Sequence, residues 1–184
     1  RLRLRPYQHI PYFREPTLGD VAMPEQVHPV LTRLRPDPLR PDSDPDAAWA
    51  RISRSSRTIG ELLMDQAVLA GVGNVYRSEV LFRHRLSPFT EGRMLRRASW
   101  HLIWDDLERL MPLGVTTGRI VTVEDQVLEV EAALGRGEVP RLTERSSAVY
   151  RRAGMPCPAC GSKVRTRVVA GRNLFWCGRC QRRR

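Results

Sequence analysis

Residues 59–69 form the first of two stretches in which apolar positions recur at helical spacing. The stripe consists of Ile59, Leu62, Leu63, Gln66 and Leu69. Gly71 and Gly73 follow it, and glycine adopts backbone angles that are closed to residues with a Cβ. The pattern predicts that one helix ends at these glycines. A second helix is then expected to begin with Asn74 as its N-cap and to end before Ser87 and Pro88.

Residues 90–111 carry the longest helical pattern of the chain. Its apolar stripe consists of Trp100, Ile103, Trp104, Leu107 and Met111. The two tryptophans could stack on nucleobases, but their place in this stripe favours core residues. Gly114 is the predicted C-cap. The locally acidic residues 115–145 are interpreted as a helix plus a surface loop that faces away from any DNA.

The N-terminal third reads differently. Residues 1–5 alternate arginine and leucine, as a half-buried strand does, and residues 24–34 could form a short helix. The chain is therefore expected to begin inside a longer protein. Residues 35–46 contain four prolines and four aspartates, which predicts a linker without regular structure. The helix that follows is expected to be capped by Asp44 or Asp46.

The net charge of the chain indicates which class of ligand it binds. The 184 residues carry a formal net charge of +11 and a pI near 10.8, which favours a polyanionic ligand. Nearly all of this charge is arginine, and Lys163 is the only lysine. No apolar run approaches the roughly 18 residues of a membrane span, and no signal-peptide segment is visible. A cytosolic protein that does not bind membranes is expected.

All four cysteines lie near the C-terminus in a C-x2-C-x16-C-x2-C pattern. They are Cys157, Cys160, Cys177 and Cys180. Two such pairs supply the tetrahedral thiolates of a structural Zn²⁺ site, whereas redox-active pairs, the alternative, do not usually come in twos at this spacing. The residues between them predict a hairpin with strands at 163–169 and 174–176 and a turn at 170–173.

Two positions are candidates for phosphate contact. The N–H groups of a helix that begins after two glycines form an anion site, although the same glycines could serve only close helix packing. Arg172 lies in the predicted turn of a hairpin region that has eight basic and no acidic residues after Cys157. Its guanidinium could reach a phosphate or simply remain solvated.

The amino-acid sequences of two segments resemble those of a known protein family. Residues 69–82 read LAGVGNVYRSEVLF, and residues 171–181 read GRNLFWCGRCQ. Both resemble the formamidopyrimidine-DNA glycosylase and endonuclease VIII (Fpg/Nei) family, the first its helix–two-turn–helix and the second its zinc finger. Residues 76–82 are more similar to the Nei side. The resemblance covers the whole chain and corresponds to the C-terminal two-thirds of a family member.

The resemblance implies a fold and a domain order. The fold is mainly α, with a helix–two-turn–helix bundle and a small β-hairpin zinc finger, preceded by a remnant of an N-terminal β-sandwich. The sandwich end occupies residues 1–34 and the linker residues 35–46. The helix–two-turn–helix domain spans residues 47–150, and the four-cysteine zinc finger spans residues 151–184.

It also implies a ligand. In the family, the residues that match Asn74 and Arg172 together grip backbone phosphates of duplex DNA, and one structural zinc holds the hairpin. The other expected DNA-binding positions are Gly71, Gly73, Asn173 and Tyr76. The expected partner is double-stranded DNA that contains damaged bases or abasic sites, bound by a monomer in the bacterial cytoplasm, at the nucleoid.

Catalysis is expected to lie elsewhere. The family's nucleophile is the α-amine of an N-terminal proline followed by glutamate, and it forms a Schiff base with the damaged nucleotide. Pro24-Glu25 is rejected as that motif, because too few residues follow it before the helices to form a β-sandwich. The parent protein is thus expected to be a DNA glycosylase and abasic-site lyase, and this chain alone to be inactive. Glu79 is expected to be a buried structural acid bonded to the turn's backbone.

An alternative from another functional class stays open. The chain could be a truncated, non-catalytic zinc-containing nucleic-acid-binding module or regulator.

Overall fold

The computed structural model describes residues 35–140, 142 and 146–182. Within these residues the helices are α1 (Pro45–Ile52), α2 (Ile59–Leu62), α3 (Asn74–Arg83), α4 (Arg97–Thr117) and α5 (Glu124–Gly135), with a 3-10 turn at Gly92–Met94. Strands β1 (Val164–Val169) and β2 (Arg172–Cys177) follow. This confirms a mainly helical fold with a small hairpin. The strand, short helix and sandwich remnant expected in residues 1–34 lie outside the described residues.

The helical core is built around α4. Trp100 and Trp104 are 0% and 1% exposed, which confirms that they are core residues. The indole nitrogen of Trp100 donates a hydrogen bond to the carbonyl of Pro45 at 3.0 Å. The surrounding apolar side chains include Ile52, Ile59, Leu63, Leu81, Leu107 and Val127. None of the described helices combines the length and the apolarity needed to cross a bilayer.

Helix α1 begins as the sequence predicts. The carboxylate of Asp44 accepts a hydrogen bond from the backbone N–H of Asp46 at 2.8 Å, and Pro45 occupies the first helical position, where no N–H is required. The preceding residues 35–44 form turns. They contact the helical unit, because the N–H of Ala70 donates to the carbonyl of Pro36 at 2.9 Å.

The helix predicted over residues 59–69 is wrong in length, because α2 ends after four residues. Beyond it, side chains take the hydrogen bonds that a helix would use. Asp65 accepts from the backbone amide two residues later at 2.9 Å. The amide of Gln66 accepts from the N–H of Gly71 and donates to the carbonyl of Val72, both at 3.0 Å. Local side-chain capture of the backbone therefore favours tight turns over a continuous helix.

Both predicted ends of the longest helix are also wrong. Helix α4 begins at Arg97, and its C-cap is Gly118, which has a φ of +65°. Gly114 lies inside the helix. A Cβ added there would lie 2.5 Å from the hydroxyl oxygen of Tyr76 on α3. The glycine at position 114 permits close helix packing and does not terminate the helix.

The helix predicted within residues 115–145 is confirmed as α5, and an ion-pair network joins it to α3 and α4. Arg83 of α3 binds Asp106 at 2.7 Å and Glu124 at 2.6 Å, and it donates to the carbonyl of Thr122 at 2.8 Å. Burial alone would raise the pKa of Asp106. Hydrogen bonds from His84 and Arg83 instead hold that pKa below its ordinary value.

The C-terminal hairpin is antiparallel and its turn is shorter than predicted. Val169 pairs with Arg172, so the turn contains only Ala170 and Gly171. Both have positive φ angles, 50° and 70°, as a two-residue type I′ hairpin turn requires. Arg172 is therefore the first residue of β2 and is not in the turn itself. A second apolar cluster forms here from Val149, Cys157, Val164, Phe175 and Cys177.

Candidate nucleic-acid interface and metal centre

The glycine-rich turn leads directly into α3. Gly71 has a φ of +77°, and a Cβ there would contact Met111 at 3.0 Å, so this position favours glycine on two grounds. Gly73 is the N-cap and Asn74 is the first helical residue, which corrects the predicted cap by one position. Gly73 has no side chain to satisfy the N–H groups of the first turn. Those groups have no acceptor within their own helix, so they can bind an anion.

The side chain of Asn74 connects this turn to the hairpin. Its Nδ2 atom donates to the carbonyl of Asn173 at 2.9 Å, and its Oδ1 atom accepts from Arg77. These two bonds fix which end of the amide faces which partner. They also explain why Asn74 does not cap the helix, since its amide is already committed to the hairpin and to Arg77.

Arg77 is a residue of the candidate site that the sequence reasoning missed. It is 0% exposed, and Nη1 donates to the carbonyls of Gly60 at 3.2 Å and Val169 at 3.1 Å. Burial, with the charge of Arg172 nearby, lowers its pKa to about 10, so it remains protonated at neutral pH. The one available signal was its position, three residues after Asn74 on the same helix face.

Arg172 borders a cleft of about 390 Å³ between the glycine-rich turn and the hairpin. The cleft is lined by Arg57, Glu61, Met64, Asp65, Gln66, Val72, Gly73, Ala170 and Arg172. Its two carboxylates already have partners, because Glu61 accepts from Thr58 at 2.6 Å and Asp65 pairs with Arg57 at 2.6 Å. Within the described part of the chain, the exposed guanidinium of Arg172 has no carboxylate partner. The cleft thus presents an available cation beside Gly73.

The predicted DNA-binding positions therefore separate into two groups. Gly71, Gly73, Asn74, Arg172 and Asn173 come together around the turn and the hairpin. The sixth, Tyr76, is 7% exposed and packs against α4.

Tyr76 is placed as a core residue. Burial raises the pKa of its phenol to about 12. A surface contact from this hydroxyl does not fit its position.

Glu79 is buried, as expected, but the expected partner is wrong. Its carboxylate accepts from the backbone N–H groups of Ala148, Val149 and Tyr150 at 2.8–2.9 Å. The hydroxyl of Thr122 also donates to it at 3.3 Å. None of these groups belongs to the glycine-rich turn. Glu79 instead fixes the segment that enters the zinc finger onto α3.

The four cysteine sulfurs lie within 4.8 Å of one another. The pairs Cys160–Cys177 and Cys157–Cys180 are separated by 3.5 and 3.9 Å. A tetrahedral Zn²⁺ with bonds near 2.3 Å needs sulfurs about 3.8 Å apart, so the four thiols fit this metal. Hydrogen bonds from Ser162 lower the pKa of the Cys160 thiol to about 6, whereas burial raises the pKa of the Cys157 and Cys180 thiols, so the fit to the metal rests on the sulfur geometry.

The turn and the thiol cluster each lie in a segment that matches a known protein family. Residues 34–125, half of the chain, match the family model described as the formamidopyrimidine-DNA glycosylase H2TH domain. The chain belongs to the Fpg/Nei family. Residues 154–183 match the zinc finger found in FPG and IleRS. Together with the clustered thiols, this match supports one structural zinc.

Two curated relatives show how much of an Fpg/Nei protein the chain spans. Endonuclease 8 1 of Mycobacterium tuberculosis (strain H37Rv) is 46% identical over 169 residues, covering 91% of this chain and 60% of that protein. Formamidopyrimidine-DNA glycosylase of Thermus thermophilus is 39% identical over 153 residues, covering 83% and 55%. The chain therefore spans 55–60% of the length of these relatives, and it is more similar to the endonuclease 8.

Solved Fpg structures share the fold. The crystal structure of MutM (Fpg) from Thermus thermophilus has a TM-score of 0.62 and 33% identity, covering 86% of this chain and 57% of that one. Lactococcus lactis Fpg in complex with abasic-site DNA has a TM-score of 0.67 and 25% identity, covering 87% and 56%.

Proposed function

We propose that this chain is the damaged-DNA-binding part of a bifunctional DNA glycosylase and abasic-site lyase of base-excision repair. The observation that carries the proposal is the junction at Asn74. There one amide joins the uncapped start of α3 to the hairpin strand that bears Arg172. The junction brings an anion-binding helix terminus and an available guanidinium to the same cleft.

The proposed ligand atoms are the oxygens of adjacent backbone phosphates. One phosphate accepts from the first N–H groups of α3, which Gly73 leaves uncapped. The next accepts from the guanidinium of Arg172, whose planar fork matches two phosphate oxygens. Arg77 acts as a positioning residue in this arrangement, since it bonds both Asn74 and the hairpin carbonyls. Phosphate contacts of this kind fix the register of the duplex without reading its sequence.

Damaged DNA is proposed as the substrate because of the relatives. Family members related to this chain are named as glycosylases or endonuclease 8, and the Lactococcus lactis Fpg structure contains abasic-site DNA. The chain covers just over half of such proteins. We therefore assign DNA grip to the described residues, and we infer that the nucleophile of the whole enzyme lies outside them.

The zinc site has a mechanical role in this proposal. Cys157, Cys160, Cys177 and Cys180 are the proposed ligands, and Zn²⁺ when bound supplies a closed structural crosslink. The crosslink sits at the end of the hairpin opposite the Ala170–Gly171 turn. Because β1 and β2 are only six residues long each, and a two-stranded hairpin is marginal alone, the metal holds Arg172 in reach of the α3 terminus.

The test is a salt titration of binding to duplex DNA that carries an uncleavable abasic-site analogue. Arg172→Ala is expected to reduce the slope of log K against log salt by about one unit, because one phosphate contact releases about 0.9 counterion. Arg96→Ala removes the same charge from the exposed start of α4 and serves as the matched control. An Arg172→Ala slope equal to that of the control contradicts the proposed grip.

A further inference from the structure

A second group of cations lies along and just before β1, outside the lining of the Arg172 cleft. Alternate residues of a strand point to one face, which places Arg165 and Arg167 of β1 on the same side. Lys163 directly precedes β1 and lines a cleft together with Arg165. We call these three residues the basic ladder. The strand register agrees with this, since Arg165 lies opposite Trp176 and Arg167, two residues further along β1, lies opposite Leu174.

The ladder borders two open clefts that share lining residues. One cleft has a volume of about 690 Å³ and the other about 570 Å³, and Arg165, Gly178 and Arg182 line both. The first cleft is also lined by Ser56, Thr58, Ser87, Phe89, Glu91, Arg167, Trp176 and Gln181. The second is also lined by Ser162, Lys163 and Arg179. Together the two clefts form a continuous basic groove along one face of the hairpin.

The guanidinium groups of Arg165 and Arg167 contact other residues that line the groove. Arg165 lies over Gly178 so closely that a Cβ at position 178 would be 2.9 Å from its Cζ atom. Arg167 lies over the ring of Phe89 at 5.9 Å from the centroid. That ring in turn meets Trp176 edge-on, with the centroids 4.9 Å apart.

The positive charge of the groove is not neutralised within the described residues. No ion pair there involves a ladder residue, Arg179 or Arg182. The lining contains one carboxylate, that of Glu91, and it already pairs with Arg93 at 2.7 Å. A groove of like charges without counterions raises the local concentration of an anionic ligand.

We propose that the basic ladder binds successive phosphates of a DNA strand, as a second site beyond the Asn74–Arg172 junction. Arg165 and Arg167 follow one another at about 6.6 Å along β1, a spacing suited to successive phosphates of a backbone. The groove also lies next to the Arg172 cleft. Arg57 lines that cleft and the adjacent Thr58 lines the ladder groove. Arg165 lies about 13 Å along the strand from the Arg172 pair.

A DNA backbone fits these observations better than an acidic peptide does. The aromatic faces that would hold apolar peptide side chains are already engaged, because Arg167 covers Phe89 and Phe89 abuts Trp176. The cations, by contrast, are repeated and aligned. The inference rests on the proposed function in one respect, that the ligand is DNA, and it assigns a separate group of residues to it.

The experiment compares the DNA affinity of Arg165→Gln/Arg167→Gln with that of the wild-type chain. Affinity is measured by fluorescence anisotropy on a labelled abasic-analogue duplex across a salt series. Loss of two duplex phosphate contacts is expected to reduce the slope of log K against log salt by nearly two units. Arg96→Gln/Arg97→Gln removes the same charge from exposed positions at the start of α4, together with the ion pair between Arg97 and Asp46, and it should leave the slope near wild type. Zinc content is measured in every variant as a folding control.

The two sites are separated by combining variants. Arg165 lies about 13 Å along the strand from the Arg172 pair, whereas Arg167 lies only about 6.6 Å from it. The combination therefore uses Arg165→Gln with Arg172→Ala, and the effects of these two changes are expected to add. A ladder effect that persists in the Arg172→Ala background supports the second site even if Arg172→Ala alone changes nothing. An Arg172→Ala variant with unchanged DNA binding would contradict only the proposed function. If the ladder variant loses zinc, the exposed Arg182→Gln is used instead, with an expected change in slope of about one unit.

Two outcomes overturn the inference. One is a ladder variant whose affinity and slope match those of the charge-matched control. The other is unchanged DNA binding combined with loss of binding to a labelled poly-glutamate peptide, which would assign the groove to an acidic protein segment.

Discussion

Gly114→Ala is a sharp test of how α3 and α4 are held together. A Cβ at this position would lie 2.5 Å from the hydroxyl oxygen of Tyr76, and the φ of Gly114 is not among the positive values of the chain. The cost of the substitution is therefore steric and does not come from backbone strain. Removing the hydroxyl with Tyr76→Phe removes the atom that clashes.

The expected magnitude follows from two opposing effects. Overpacking a well-packed core costs about 1–3 kcal/mol, while alanine in place of glycine inside a helix stabilises by about 1 kcal/mol. The net destabilisation from Gly114→Ala is thus about 1 kcal/mol, or roughly 2–4 °C in Tm for a chain of this size. In the Tyr76→Phe background the same substitution should stabilise the protein, by up to about 1 kcal/mol.

Urea unfolding of the wild type, Gly114→Ala, Tyr76→Phe and the double variant measures the coupling free energy between positions 76 and 114. Gly135→Ala is the control, because a Cβ added near the end of α5 meets nothing within 4 Å. Tyr76→Phe is also expected to leave DNA affinity unchanged, since its hydroxyl faces α4 and not the cleft. Equal effects of Gly114→Ala in both backgrounds would refute the tight contact, and a loss of DNA affinity in Tyr76→Phe would refute its placement in the core.

Three further predictions concern metal, acid stability and chemistry. Cys177→Ser should lose the zinc and the hairpin fold, checked by metal analysis; full metal retention contradicts it. Because the pKa of Asp106 is lowered in the folded state, its carboxylate stabilises the fold above about pH 4, and this stabilisation is lost as the pH falls further. The free energy of unfolding of Asp106→Asn should therefore depend less on pH in the acid range. Borohydride should trap no covalent adduct between abasic-site DNA and this 184-residue chain, because its one lysine, Lys163, lies roughly 20 Å along the hairpin from the turn. An adduct that maps to Lys163 would contradict this.

The sequence predicted what depends on periodicity and spacing. The apolar stripe around Trp100 identified the core face of α4, and the cysteine spacing identified the metal site, because both patterns have few physical solutions. The ends of α2 and α4 were wrong for different reasons. Helix α2 ends where the side chains of Asp65 and Gln66 bond nearby backbone groups, which apolar periodicity does not register. Gly114 was mistaken for the C-cap of α4 because its packing against the hydroxyl of Tyr76 cannot be seen in a local pattern.

The candidate site was predicted in outline and not in its supporting contacts. Asn74 and Arg172 could be selected from a turn motif and a hairpin pattern. The buried Arg77 that joins them could not, because its partners are backbone carbonyls far away in sequence. The partners of Glu79 were misassigned for the same reason, since the 148–150 segment is about 70 residues distant.

The most direct test of the central claim is a phosphate-by-phosphate scan of the DNA. Single methylphosphonates neutralise one phosphate at a time in an abasic-analogue duplex, and affinity is measured for the wild-type chain and for Arg172→Ala. One position should lower wild-type affinity about eightfold at 0.1 M salt, the value of one counterion-releasing contact, and have no further effect on Arg172→Ala. If every position instead lowers the affinity of both proteins equally, Arg172 grips no phosphate and the account is wrong.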